Sequence, residues 1–286
     1  MPLLQKQGVD VLAALPTLFT RALEVDEAAM RALVESVAPH VTGIFACGTN
    51  AEFPTLTFAE RAALTRLIIG VVGPDRVIVH VGDVTTWGAR QLAAAAVESG
   101  AVHLAAITPM IFPATDDDIV AHFRALRDLT PGRLFAYDFP EIAQNSISRD
   151  AALRLRGVVD GIKVSGSATK HVRSLADLGF IVYSGQDRKP SAVLAEGGVG
   201  VVSGTASAIP EHFAPLATGD FSAESELSRA TDDIGGSIQL IKDSIVRRGI
   251  GYGGTRIPPA HPASSSIPTS HARRAHKELV APVITT

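Results

Sequence analysis

Lys163, in the stretch "DGIKVSGSATK" (residues 160–170), sits inside an apolar, strand-like run where a buried side chain is expected. Removing an ammonium group from water penalises its charged form, lowers its pKa and populates the free amine. A free amine in a dry pocket attacks a ketone and forms a Schiff base. The competing reading is a strand-end lysine whose head reaches solvent or pairs with a carboxylate. Tyr137 closes the preceding apolar run, in "LFAYDFP". Neighbouring parallel strands lie roughly 4.8 Å apart, so inward residues at one height on two such strands approach each other. A phenol beside a Schiff-base nitrogen can move protons to and from a substrate hydroxyl, whereas an isolated core tyrosine only packs.

Gly48, Thr49 and Asn50 in "CGTNAEFPTL" offer backbone N–H groups, a hydroxyl and an amide that suit a carboxylate, or else a turn capping the next helix. Cys47, the single cysteine, excludes an internal disulfide and a multi-cysteine metal site, and reads as a small core residue. His80 and His103 fall in strands with no matching ligand cluster and read as buried, hydrogen-bonded histidines. Asp116, Asp117 and Asp118 read as the acidic first turn of a helix.

Elements must position these groups. Eight β-branched runs are strand candidates: 11–19, 43–47, 76–81, 103–108, 133–137, 161–165, 180–185 and 200–204. Alanine- and leucine-rich segments of helical period separate them, among them 26–40, 57–72 and 87–100. Thr57 with Glu60 three residues on has the spacing of a capping box. Eight such units predict a (β/α)8 barrel within residues 1–220, with helices and a tail of the same domain over 221–286. The alternative, a doubly wound sheet, lacks a G-x-G-x-x-G or G-x-x-x-x-G-K-[ST] loop here. Residues 222 to about 250 read as helix, including "IGGSIQLIKDSIVRRG". "GYGGTRIPPAHPASSSIPTSH" reads as a connector and "HARRAHKELVA" as a short terminal helix.

Composition narrows the function. The 286 residues are 46% hydrophobic, enough for one large core, and the net charge of −3 is spread without a block of like charge. That excludes a nucleic-acid footprint and a polybasic membrane anchor. No run reaches the roughly 18 apolar residues of a membrane span, and the first residues lack a leader's basic and apolar regions. The expectation is a cytoplasmic enzyme whose partner is a small molecule or another copy of itself.

In such a barrel the reacting groups lie where the strands end. Those ends read "LPTLFT", "CGTNAEFPTL", "HVGDVTT", "ITPMIFP", "YDFP", "IKVSG", "SGQD" and "VSGTAS". They add Gly185, Gln186 and Asp187 after the seventh strand, and Ser203 and Thr205 after the eighth.

In order and spacing, "GTNAEFPTLTFAER", "YDFP" and "GIKVSG" resemble the dihydrodipicolinate synthase/N-acetylneuraminate lyase family of class I aldolases. The likeness continues through "FIVYSGQD", "GGVGVVSGTAS", "LATGDF" and "GGTRIPP", to about residue 260. It implies a (β/α)8 barrel, usually a homotetramer, acting on pyruvate or another 2-oxo acid without metal or organic cofactor. Lys163 would then be the nucleophile, Tyr137 the proton-transfer residue, and Thr49 with Asn50 the carboxylate pair. The family more often has two hydroxyl residues followed by Gly-Glu, where this chain has Asn50, Ala51 and Glu52. Dihydrodipicolinate synthases carry a tyrosine where this chain reads "TPMI", with Met110 and Ile111, and an arginine where Ile142 stands. Both departures point away from lysine biosynthesis and toward sugar-acid aldolases. The expected reaction is retro-aldol cleavage, or the reverse, of a 2-keto-3-deoxy sugar acid or related 4-hydroxy-2-oxo acid to pyruvate and an aldehyde. The residues of "SGQD", with Ser203 and Thr205, would meet its hydroxylated tail. A dehydratase sharing the imine is the alternative, and a catalytically idle 2-oxo-acid binder is a third reading.

Overall fold

The structure, a computed structural model, describes residues 8–258. Eight parallel strands close into a barrel in sequence order: β1 (Asp10–Ala14), β2 (Gly43–Ala46), β3 (Val77–His80), β4 (His103–Ile107), β5 (Leu134–Asp138), β6 (Gly161–Val164), β7 (Ile181–Ser184) and β8 (Gly200–Ser203), which pairs back onto β1. Between and after them run α1 (Glu27–Val37), α2 (Phe58–Val72), α3 (Thr86–Glu98), α4 (Asp116–Arg127), α5 (Pro140–Ala143), α6 (Arg149–Leu155), α7 (Val172–Ala176), α8 (Pro190–Ala195), α9 (Ala214–Ala217), α10 (Glu224–Ile234) and α11 (Ile238–Arg247). This is the (β/α)8 barrel with C-terminal helices that the alternation predicts.

Strand alternation sorts the core into two shells. Outward residues such as Val11, Ile44, Val79, Leu104, Ile162 and Val201 pack under the helices. Inward residues, among them Leu12, Phe45, Ile78, Ile107, Phe135, Tyr137, Tyr183 and Val202, fill the barrel. The period of two therefore decides which strand residues reach the barrel axis. Lys163 pairs in register with Tyr137 on one side and Tyr183 on the other, which puts all three on the inner face.

Helix starts follow local chemistry. The Thr57 hydroxyl accepts from the Glu60 N–H while the Glu60 carboxylate accepts from the Thr57 N–H, and Thr115 with Asp118 repeats this capping box on α4. Each cap contributes on the order of 1 kcal/mol. The triple aspartate at 116–118 occupies that first turn as expected.

Three boundaries differ from expectation. The first strand was expected over 11–19 but ends at Ala14; Pro16 follows, and Phe19 makes only an isolated antiparallel bridge with Val25. Within the helical region expected over 222 to about 250, the segment 234–249 does not begin as helix: Gly235, whose φ of +77° ends α10, precedes α11, which Ser237 caps. Of the expected connector, residues 251–258 are coil fastened across the barrel mouth; the rest, and the expected terminal helix, lie outside the described residues.

Candidate active site

A cavity of about 540 Å³ opens at the C-terminal ends of the strands, roofed by α10, α11 and residues 255–258. Lys163 lies on its wall with 5% of its surface exposed. Its Nζ donates to the Ser165 hydroxyl at 2.7 Å and lies 3.5 Å from the centre of the Tyr137 ring and 5.5 Å from that of Phe45. Among the described residues it has no carboxylate partner, and burial pushes its pKa well below the ordinary value. The competing reading of a snorkelling or ion-paired lysine fails on both counts.

The Tyr137 hydroxyl lies 3.2 Å from the Thr49 hydroxyl, and burial pushes the phenol up to about 12. Tyr137 therefore stays a neutral phenol at neutral pH. Behind it stands His80, edge-on to Tyr137 and to Phe53 at ring separations of 5.9 and 4.7 Å. His80 Nε2 accepts from the Ile107 N–H, so Nδ1 carries the proton and donates to the Cys47 carbonyl at 3.1 Å. Burial and the Arg61 charge hold its pKa well below normal, so it is a neutral core group. Cys47 is buried with φ +55°, at the turn that leads to Thr49 and Asn50 on the cavity wall. His103 lies half-buried at the start of β4, where its Nδ1 accepts from the Arg133 N–H.

Eight of the ten residues singled out in the sequence line this cavity: Lys163, Tyr137, Thr49, Asn50, Gly185, Gln186, Asp187 and Thr205. Gly48 and Ser203 do not. A Cβ at Gly48 would meet the Phe45 ring at 2.7 Å, so Gly48 exists to let the loop cross that ring. Ser203 is fully buried and donates to Asp187 at 2.5 Å, as Thr205 does at 2.8 Å, both to Oδ2. Asp187 is thus oriented by the end of β8. The Asn50 side chain donates to the Ala14 carbonyl at 3.4 Å and packs on Gly204, where a Cβ would lie 2.2 Å from its Nδ2.

Several groups escaped the sequence reading. Ser165 follows Lys163 by two residues, and the strand period alone would have placed it on the same face. Glu52, φ +57°, is 1% exposed; it pairs with the fully buried Lys242 and accepts from the Arg256 and Ile257 N–H groups at 2.7 and 3.0 Å. This clamp ties the 48–52 loop to the segment that roofs the cavity, and no short-range pattern links residues 190 apart. Ile142 lies on the cavity wall beside Phe139, giving that side an apolar surface, while Met110 is buried in the inner core. Among the described residues no cluster of His, Cys, Asp and Glu could hold a metal ion, and no helix is long and apolar enough to cross a membrane.

The profile of the dihydrodipicolinate synthetase family matches residues 8–246. A 4-hydroxy-tetrahydrodipicolinate synthase of Mycobacterium leprae is 30% identical over 274 residues, covering 88% of this chain and 91% of its own. Among solved structures, a dihydrodipicolinate synthase from Bacillus anthracis superposes with a TM-score of 0.79 at 26% identity, covering 91% and 94% of the two chains. A sialic acid aldolase of Ruminococcus gnavus reaches the same TM-score at 20% identity over 91% and 92%, a likeness of fold. With the whole barrel matched and the strand-end motifs in place, the chain belongs to the dihydrodipicolinate synthetase family, whose members are lyases.

Proposed function

We propose that the chain is a class I aldolase that cleaves or forms a 2-keto-3-deoxy sugar acid, or a related 4-hydroxy-2-oxo acid, through a Schiff base on Lys163. The observation that carries this reading is the environment of Lys163: buried, free of any carboxylate among the described residues, and 3.5 Å from the Tyr137 ring on a cavity wall.

The chemistry follows from those groups. The neutral amine adds to C2 of the oxo acid, and a proton moves from nitrogen to oxygen to give a carbinolamine. Tyr137, a neutral phenol at the pH of the reaction, gives its proton to the departing hydroxyl, leaving water, an iminium on Lys163 and a phenolate. The phenolate takes the proton of the C4 hydroxyl as C3–C4 breaks; the electron pair flows into the iminium, giving an enamine and releasing the aldehyde. Protonation of the enamine at C3 and hydrolysis release pyruvate and restore the amine. Thr49, 3.2 Å from the phenol, and the N–H groups of its loop hold the carboxylate, and Asp187, braced by Ser203 and Thr205, accepts from a hydroxyl of the tail. Ile142 puts an apolar side chain where the synthases of the family carry an arginine, which supports a substrate other than the semialdehyde of lysine biosynthesis.

Borohydride added with pyruvate tests the imine: a stable mass on Lys163 is expected, and an unlabelled lysine defeats the reading. A lactate-dehydrogenase-coupled screen of 4-hydroxy-2-oxo acids, with products identified by NMR, tests the reaction. Pyruvate plus an aldehyde is expected; loss of water without pyruvate from every acid tested would replace the aldolase by a dehydratase.

A further inference from the structure

Among the described residues five other than glycine hold a positive φ, and two of them, Leu23 at +61° and Glu52 at +57°, bond to the segment 251–257. Left-handed backbone is costly for a leucine, and Leu23 gains little burial in return, being 40% exposed. What its turn supplies is a carbonyl: the Leu23 oxygen accepts from Arg256 Nε at 2.9 Å and from Nη2 at 2.7 Å. The rest of the guanidinium is equally committed. Nη1 donates to the Thr55 carbonyl and to Glu60, both at 3.0 Å, Nη2 donates to the other Glu60 oxygen at 2.7 Å, and the central carbon lies 4.4 Å from the centre of the Phe19 ring. All five N–H donors of the planar fork are thereby spent, on the turn after β1, the loop after β2 and the start of α2.

Arg256 is not on the cavity wall, but Thr255, Ile257 and Pro258 beside it are. The backbone N–H groups of Arg256 and Ile257 donate to the Glu52 carboxylate at 2.7 and 3.0 Å. Glu52 closes the turn that carries Thr49, its own N–H donating to the Thr49 carbonyl at 2.9 Å, and the Thr49 hydroxyl faces the Tyr137 phenol at 3.2 Å. Hydrogen bonds therefore run without a gap from the Arg256 segment to the phenol. Gly251, Gly253 and Gly254 precede Arg256, and a stretch so rich in glycine needs outside anchors to keep one shape.

We propose that Arg256 is a positioning residue of the reaction: by fastening residues 251–257 to the Leu23 turn and the start of α2 it fixes Glu52, and so sets the Thr49 hydroxyl against Tyr137 and the substrate carboxylate. The inference rests on the Schiff-base reading for the roles of Thr49 and Tyr137. A tie that only adds stability would act the same whether or not Thr49 is present.

A double-mutant cycle of Arg256→Ala with Thr49→Val tests it, because residues that act through one another are not additive. Pyruvate is the probe, read in two ways: the rate of borohydride-trapped labelling of Lys163 and the dissociation constant by calorimetry. Arg256→Ala should lower labelling rate and affinity about tenfold where Thr49 is present, and by less than about twofold in the Thr49→Val protein. Arg256→Lys, which keeps the charge but not the fork, should show the same dependence on Thr49 with a smaller loss, and reads the cycle should the alanine variant fail to fold. Equal losses with and without Thr49, or no loss at all, overturn the inference. A Thr49-dependent loss of affinity in a protein that pyruvate and borohydride do not label would leave Arg256 its role and remove the Schiff base; a good label with additive losses would do the reverse. Pyruvate that neither binds nor labels defeats both.

Discussion

Two lysines among the described residues are taken out of water, and they differ in whether a carboxylate faces them. Lys242, fully buried on α11, points at Glu52, donates to the Gly254 carbonyl at 2.8 Å and lies 4.5 Å from the centre of the Phe19 ring. Lys163, 5% exposed on β6, also faces aromatic rings, but its hydrogen bond goes to a neutral serine hydroxyl. Burial lowers both pKa values; at Lys242 the Glu52 carboxylate opposes the fall, while at Lys163 burial acts alone. Burial by itself therefore does not make a lysine a nucleophile. With no carboxylate beside it, the Lys163 amine is free for the proposed role, whereas the pairing with Glu52 makes Lys242 a structural tie between the 48–52 loop and the roof of the cavity.

The two lysines should fail in opposite ways when changed. Lys163→Met should reduce turnover on the order of 10⁶-fold, the cost of deleting a covalent nucleophile, while leaving the melting temperature unchanged or higher. Turnover within tenfold of wild type would end the assignment. Lys242→Met leaves Glu52 charged and buried, and urea unfolding should show a loss of about 3–5 kcal/mol. Adding Glu52→Gln should recover part of that loss, since the amide oxygen still accepts from the segment at 256–257; no recovery would mean that the ion pair is not what holds the roof.

A smaller effect separates the lysines by pH. Between the lowered folded pKa of Lys163 and its ordinary 10.5, the unfolded chain binds one proton more than the folded chain. Wild-type stability should therefore fall relative to Lys163→Met as pH drops from 10.5 toward the folded value, by up to about 1.4 kcal/mol per pH unit, and run parallel below it. Parallel denaturation midpoints throughout the alkaline range would show that the amine is not depressed. The smallest change expected is Ser165→Ala: one hydrogen bond to the amine, about 1 kcal/mol, or roughly fivefold in kcat/KM, with the borohydride label retained.

Much of this arrangement is legible along the chain. The eight apolar runs, the Thr57–Glu60 cap, the acidic first turn at 116–118, and the inward face shared by Tyr137 and Lys163 follow from periods of two and 3.6 and from near neighbours in the chain. Boundaries are less legible where a single residue acts: Pro16 lies just past the early end of β1, and Gly235 ends α10 within the stretch of helical period. Ser165 was within reach, being two residues from Lys163 on one strand.

What only the tertiary structure decided is which polar groups meet across long separations. Lys163 as a candidate amine is a property of its strand, because an apolar run of that length must be buried and carry the lysine with it. Whether a carboxylate waits there is not, since Glu52 reaches Lys242 across 190 residues and Asp187 is braced by hydroxyls 16 and 18 residues away. Local sequence sets propensity and face because those depend on backbone period and near neighbours. The charge state and reactivity of a buried group depend on everything within a few ångströms, and the closure of the barrel chooses that company.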